Sequence, residues 1–278
     1  MMAFSASGAK ATTYAYYIDP LFIHGNRKMT ATVPLILAEE DIERGGKEQS
    51  EHDIQNDFAY NNNVHNATIT IRMGFLRKVY GLLSMQLLMT VAVGSIFMMS
   101  STVKLYVQEN LWTMALAFIL TIGILVGLLF KRKDHPTNLI LLVIFTLVQS
   151  YTVGVVVSMY DTSVVLEALF ITLTVLLALT AYTFQTKRDF SFMGFGLFIG
   201  LWCLLIGGFI QIFAHSTALE LAISIGGALL FCLFIVFDTQ MIMHTLSAEE
   251  YILATINIYL DIINLFLHIL RALAISKQ

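Results

Sequence analysis

Charged side chains are scarce in this sequence. Asp, Glu, Lys and Arg make up 13% of it, where a water-soluble domain carries about 25%. That shortage excludes a large water-soluble core. A hydrophobic share of 57% and a mean hydropathy of +0.76 describe a bundle solvated by lipid. The net charge of −3 is too weak to suggest nucleic acid as a partner, and the basic residues sit in short clusters between apolar runs. Only two cysteines occur, Cys203 and Cys232, both in apolar runs. A thiol there behaves as a small hydrophobe, so no disulfide is expected and compartment is left open. Residues 1–20 lack the basic, apolar and small-residue order of a secretory leader, which leaves targeting to the first membrane span. GxxxxGK(S/T) and HExxH are both missing, and no Ser/His/Asp set can be placed. An enzyme is therefore the least expected class, and no cofactor is expected.

Two compositional zones follow. Residues 1–70 hold two of the three prolines, Pro20 and Pro34, and an acidic stretch from Glu39 to Asp57. Their only apolar piece, Val33 to Ala38, is far too short to span a bilayer. This zone reads as a disordered tail, either regulatory or simply solvated. From Val79 onward the chain turns to long apolar runs. About 20 helical residues cross the roughly 30 Å hydrocarbon core, and seven candidate spans follow: Val79–Met99, Leu111–Phe130, Leu139–Ser158, Val164–Phe184, Phe192–Phe213, Leu219–Met241 and Ile252–Leu270. Backbone groups in lipid must bond within their own segment, so these are helices. The expected fold is all-α: a polytopic membrane protein, a seven-helix bundle occupying residues 71–278.

The basic residues are biased to one side. Arg72, Arg77 and Lys78 precede the first span, Lys131, Arg132 and Lys133 follow the second, and Lys187 and Arg188 follow the fourth. The alternate loops hold Lys104 and little else. The biased side is cytosolic by the positive-inside rule, and the N-terminal tail with it. Seven crossings would leave Arg271 and Lys277 on the lumenal side, against the rule. A re-entrant last helix would return them to the cytosol, and both arrangements stay open.

Ionisable groups inside spans are expensive and are candidates for function. Three qualify: Glu167, Asp238 and Asp261. In the last span Asn257, Asp261, Asn264 and His268 are spaced by four, three and four residues, which puts them on one helical face. Such a helix belongs inside the bundle, facing a hydrogen-bonded seam or a wet cavity. Asp238 lies near the cytosolic end of the sixth span. Two carboxyl groups brought together cannot both ionise freely, so a proton is shared. Carboxylate oxygens are also what calcium prefers, so an Asp238–Asp261 site would answer to both pH and calcium. Ser247-Ala248-Glu249-Glu250 has the form of a capping box, starting the last helix near Ala248. Counted along an ideal hairpin from there, Asp261 lies about 10 Å deeper than Asp238. Glu249 in that first turn and Glu220 at the start of the sixth span also suit the helix dipole. Gly207-Gly208 and Gly226-Gly227 permit close approach or hinging.

Several segments occur in an order that resembles a known family. They are Ile71 to Gly81, Tyr182-Thr183-Phe184-Gln185-Thr186-Lys187-Arg188-Asp189-Phe190, Gly227 to Cys232 running into Phe237-Asp238-Thr239-Gln240, and Leu246 to Tyr251 followed by Tyr259 to Leu267. Together they are similar to the transmembrane BAX-inhibitor-motif family, its Golgi branch in particular, which has cellular and poxviral members. The resemblance covers about residues 70–276. It implies a calcium-leak channel of Golgi or endoplasmic reticulum membranes that lowers store calcium and restrains apoptosis. It also implies a pH-sensitive aspartate pair at Asp238 and Asp261, with calcium as transported ion. Acidic residues matching Glu220, Glu249 and Asp261 bear on ion conduction in the Golgi branch. Gln240 stands where that branch often has His, and the tail is longer than in the members compared. The partners implied are the lipid bilayer and calcium ions, and beyond them calcium-release channels or apoptotic regulators, for a monomer or homo-oligomer. A non-conducting interaction protein and a proton-coupled transporter are the rival readings.

A cytosolic tail has one directly measurable consequence. The sequon Asn66-Ala67-Thr68 never meets the lumen and stays unmodified. On expression in mammalian cells, endoglycosidase treatment is expected to leave the mobility of the protein unchanged.

Overall fold

The computed structural model describes residues 69–278, residues 111, 187 and 278 excepted. The expected tail 1–70 lies essentially outside the described residues. Eight α-helices run α1 Ile69–Met99, α2 Ser101–Glu109, α3 Trp112–Lys131, α4 Thr137–Val157, α5 Thr162–Gln185, α6 Met193–Ala214, α7 Thr217–His244 and α8 Tyr251–Ser276, with a short 3₁₀ turn Ala248–Glu250 before α8. All but α2 are long and apolar enough to cross a membrane. At 1.5 Å per residue the shortest of the seven, α3, measures about 30 Å, the thickness of the hydrocarbon core. α7 at about 42 Å and α1 at about 46 Å extend beyond it or tilt.

The outer surface is what a lipid solvent requires. Phe118 (66% exposed) and Phe130 (82%) on α3, and Phe195 (75%) and Phe213 (72%) on α6, face outward. Apolar exposure on this scale is not found on soluble monomers. The interior is built around α8, which packs against α7, α5, α1 and α4, with α3 held at the rim by α4 and α6 by α7. Ile252, Ile258, Tyr259, Leu265 and Leu270 of α8 are fully enclosed, and the Tyr259 ring meets Phe145 of α4 edge to face at 6.1 Å. This is the central last helix of the seven-helix expectation. It runs as one unbroken helix to Ser276.

That length carries α8 to the end of the bundle where α5 and α7 begin. Lys277 bonds Glu167 near the start of α5, and Arg271 Nε donates to Glu220 Oε1 of α7 at 2.7 Å. Both cations near the end of α8 are thus paired with an acid. The short α2 was treated as a connecting segment in the sequence, and it folds because Ser100 caps it, its Oγ accepting from Val103 N at 3.4 Å. Val107, four residues on from Val103 and so on the same face, buries against Phe97 and Val155.

A polar seam joins α1, α4 and α8. Thr90 Oγ1 lies 2.8 Å from the Tyr259 hydroxyl and 3.1 Å from Ser150 Oγ, and Gln86 Nε2 donates to Thr146 Oγ1 at 2.9 Å. Such bonds between membrane helices are worth about 0.6 kcal/mol each, up to about 1.7. Thr90→Val and Tyr259→Phe should each lower stability by an amount in that range. The double variant should lose less than the sum, because both remove the same bond; unfolding in mixed micelles measures it.

Candidate functional site: a carboxyl pair at the central helix

α8 carries polar residues at 257, 261, 264, 268 and 271, and the structure places them unequally. Asn257 is exposed. Asn264 is half-buried and turns its Nδ2 back to the Leu260 carbonyl at 2.8 Å. His268 stacks on Phe231 of α7, ring centroids 5.6 Å apart. Its imidazole lies where a side chain on Gly227 would be, so that a Cβ there would overlap the ring. Of the four glycines flagged for close approach, Gly227 is the one this contact demands; Gly208 and Gly226 have open space around them.

Asp261 is buried, 7% exposed, and its carboxyl faces that of Asp238 on α7 at hydrogen-bonding range. The depth mismatch counted from the sequence closes without any break in α7. Measured from the helix ends, Asp238 lies six residues or about 9 Å from His244, and Asp261 ten residues or about 15 Å from Tyr251. Side chains on a helix lean toward its N-terminus. In this antiparallel pair Asp261 therefore leans toward the connecting turn and Asp238 away from it, and the two carboxyls converge. The Oδ2 of Asp261 is buried with no hydrogen-bond partner. Beside the pair, the hydroxyls of Tyr80 of α1 and Thr239 of α7 are likewise buried without a hydrogen-bond partner. Among the described residues no Lys or Arg pairs with either carboxyl.

This arrangement can share a proton, and it can meet a cation. Calcium takes six to eight oxygens, and among the described residues no three His, Cys, Asp or Glu side chains converge. Two carboxyls with neighbouring hydroxyls are oxygen groups of the kind a hard cation prefers. The remaining acids expected to matter lie apart from the pair, each in an ion pair. Glu220 holds Arg271 at one end, and Glu249 holds Lys133 at 2.9 Å at the other, where Arg132 also reaches Glu250 at 3.4 Å. Those two pairs tie the α3–α4 loop to the turn that opens α8.

A cavity of about 680 Å³ opens at the same end, lined by Arg188, Asp189, Phe237, Gln240 and His244 among others. Phe237, the chain neighbour of Asp238, lines this hollow, while Asp238 and Asp261 do not. Gln240 braces its rim: Phe190 N donates to Gln240 Oε1 at 2.6 Å, and Gln240 Nε2 donates to the Arg188 carbonyl at 2.7 Å. One amide thus pins the α5–α6 loop to α7. Asp189 accepts from Ser191 N at 2.8 Å and from the Ser191 hydroxyl, which hold its carboxyl below the usual carboxylate range, helped by His244. A depressed acid is ionised at neutral pH, and its effect is lost only when pH falls through the lowered value. Any pH response near neutrality comes from other groups.

Sequence reasoning did not single out Arg271 as the partner of Glu220, nor Gln86, Thr90, Ser150 and Tyr259 as a seam. Gln86 in an apolar run was the available signal for the seam; single Thr, Ser and Tyr residues carry none.

The comparisons with known proteins agree with one another. Residues 72–278 match the family described as inhibitor of apoptosis-promoting Bax1. The chain is 46% identical over 226 residues to protein lifeguard 4 of Mus musculus, covering 81% of this chain and 95% of that protein. It is 45% identical over 225 residues to the Golgi anti-apoptotic protein of Vaccinia virus (strain Lister), with the same coverage. Bax inhibitor 1 of Schizosaccharomyces pombe is 41% identical over 210 residues, 75% of this chain and 79% of that protein.

The Gly227–His268 contact gives a stability test. Gly227→Ala should destabilise the protein by about 1–3 kcal/mol through overpacking. His268→Ala in the same background should recover most of the loss, read as the midpoint of thermal unfolding in detergent.

Proposed function

Since the chain belongs to the family of inhibitors of apoptosis-promoting Bax1, with all but its first 71 residues matched, we propose that it is a pH-sensitive calcium-leak channel of intracellular membranes that lowers store calcium and so restrains apoptosis. The observation that carries this is the Asp238–Asp261 pair, facing across the α7–α8 interface with one buried oxygen unmet. With a shared proton the pair is held together and closed to cations. When the proton leaves, two carboxylates repel across a low-dielectric interface, and either the helices separate or a cation enters between them. The 680 Å³ hollow beside Phe237 is the approach from the loop side. We place that side, with its basic loops, in the cytosol, and the N-terminus with it. The name of the vaccinia relative, Golgi anti-apoptotic protein, favours the Golgi and an anti-apoptotic role.

One observation favours a second reading, a non-conducting membrane protein that modulates calcium-release channels or apoptotic regulators. Glu220 and Glu249 are engaged in ion pairs and offer a passing cation little unless those pairs open.

Purified protein in liposomes loaded with calcium dye separates the two. The parent should leak faster as pH rises from about 5 to about 8, by no more than about tenfold per unit for a single proton. Asp261→Asn should lose that dependence. If Asp261→Asn conducts as the parent does at every pH, the gating role is wrong. If the parent leaks nothing, the modulator reading takes its place.

A further inference from the structure

The wall around α8 has a gap. α1 packs on α4 and α8, and α5 packs on α7 and α8, but α1 and α5 hardly meet. Between them a cavity of about 150 Å³ reaches from the outer surface to Ile262, Ile263 and Phe266 of α8, which are otherwise buried. Gly94, buried and without a side chain, leaves room on the α1 wall, while the exposed Ser95, Val91 (44% exposed) and Leu166 (59%) form the rim. The lining is almost wholly aliphatic and aromatic. A lining of this kind suits an apolar guest.

The position in the fold says which guest. The α5 residues on the wall run from Val165 to Thr172, about 5 to 15 Å in from the start of that span. The α1 residues, Leu87 to Met98, approach the same end of the bundle. The groove therefore lies in the hydrocarbon of a single leaflet and opens sideways into it, at a depth that acyl chains fill and water does not. We propose that it is a binding site for one acyl chain of a bilayer phospholipid, drawn from the leaflet at the end where α5 begins and seated between α1 and α5 against α8. Ile262 follows Asp261 directly, so a chain in this seat packs against the helix that carries the carboxyl pair.

The test uses the full chain in phosphatidylcholine vesicles doped with a phosphatidylcholine that bears a diazirine midway along one acyl chain. After irradiation the labelled residues are read by mass spectrometry. Label is expected on Ile262, Ile263 or Phe266, as well as on outward residues such as Phe118 and Phe209. Gly94→Leu fills the groove, since a Cβ there meets nothing nearer than Val157 at 3.8 Å, and it should cut the α8 label several-fold while leaving Phe118 and Phe209 labelled. Leu169→Phe narrows the groove from the other wall and should do the same. An unlabelled α8 in the parent overturns the proposal, as does an α8 label that neither variant reduces.

Discussion

A carboxyl group in the middle of a membrane span must be taken out of lipid, and most of this bundle is arranged to do that for Asp261. Leaving an ionisable group at the centre of a bilayer costs about 2.5–3.5 kcal/mol even on lenient scales. Here α8 is wrapped by α7, α5, α1 and α4, while the helices without such a burden, α3 and α6, are left at the rim. The helix is also tied at both ends. Lys133 and Arg132 hold Glu249 and Glu250 before its first turn, and Glu220 and Glu167 hold Arg271 and Lys277 at its last. Between those anchors the one buried acid of α8 finds Asp238 opposite it.

In the proposed function the pair has two states. With one proton between them the carboxyls attract; without it they repel, and the nearest relief is a cation or a small separation of α7 from α8. The anchors bear on how such a separation spreads. Because the turn before α8 is linked to the α3–α4 loop and Gln240 links α7 to the α5–α6 loop, movement of either helix is felt at the loops on that side. A polar seam through Thr90 and Tyr259 holds another face of α8 to α1 and α4.

Much of this was legible in the sequence. The seven apolar runs mark the seven long helices to within a few residues at most ends, because hydrocarbon thickness and backbone satisfaction leave few alternatives. The one-faced spacing of Asp261, Asn264 and His268 placed α8 inside, and the motif around Asp238 named its partner. What stayed hidden depended on tertiary detail. The apparent 10 Å offset between the two aspartates came from counting along helix axes, and it disappears once side chains lean in opposite senses. Asn257 shares the spacing of the polar face yet lies exposed, since a periodicity does not say where the covering helices end. The destination of Arg271 could not be read from a charge rule that is blind to Glu220 across the interface. The helix α2 was too short and too polar to register against its membrane neighbours.

The central claim is that Asp238 and Asp261 titrate as one coupled unit inside the bundle. Infrared difference spectroscopy of the protonated-carboxyl stretch, recorded on proteoliposomes across pH, measures this without reference to transport. The parent should show two well separated steps, and Asp238→Asn and Asp261→Asn one step each, at positions that do not sum to the parent curve. A parent curve that is the plain sum of the two variants would mean that the carboxyls do not sense each other, and the account built on their pairing would fail.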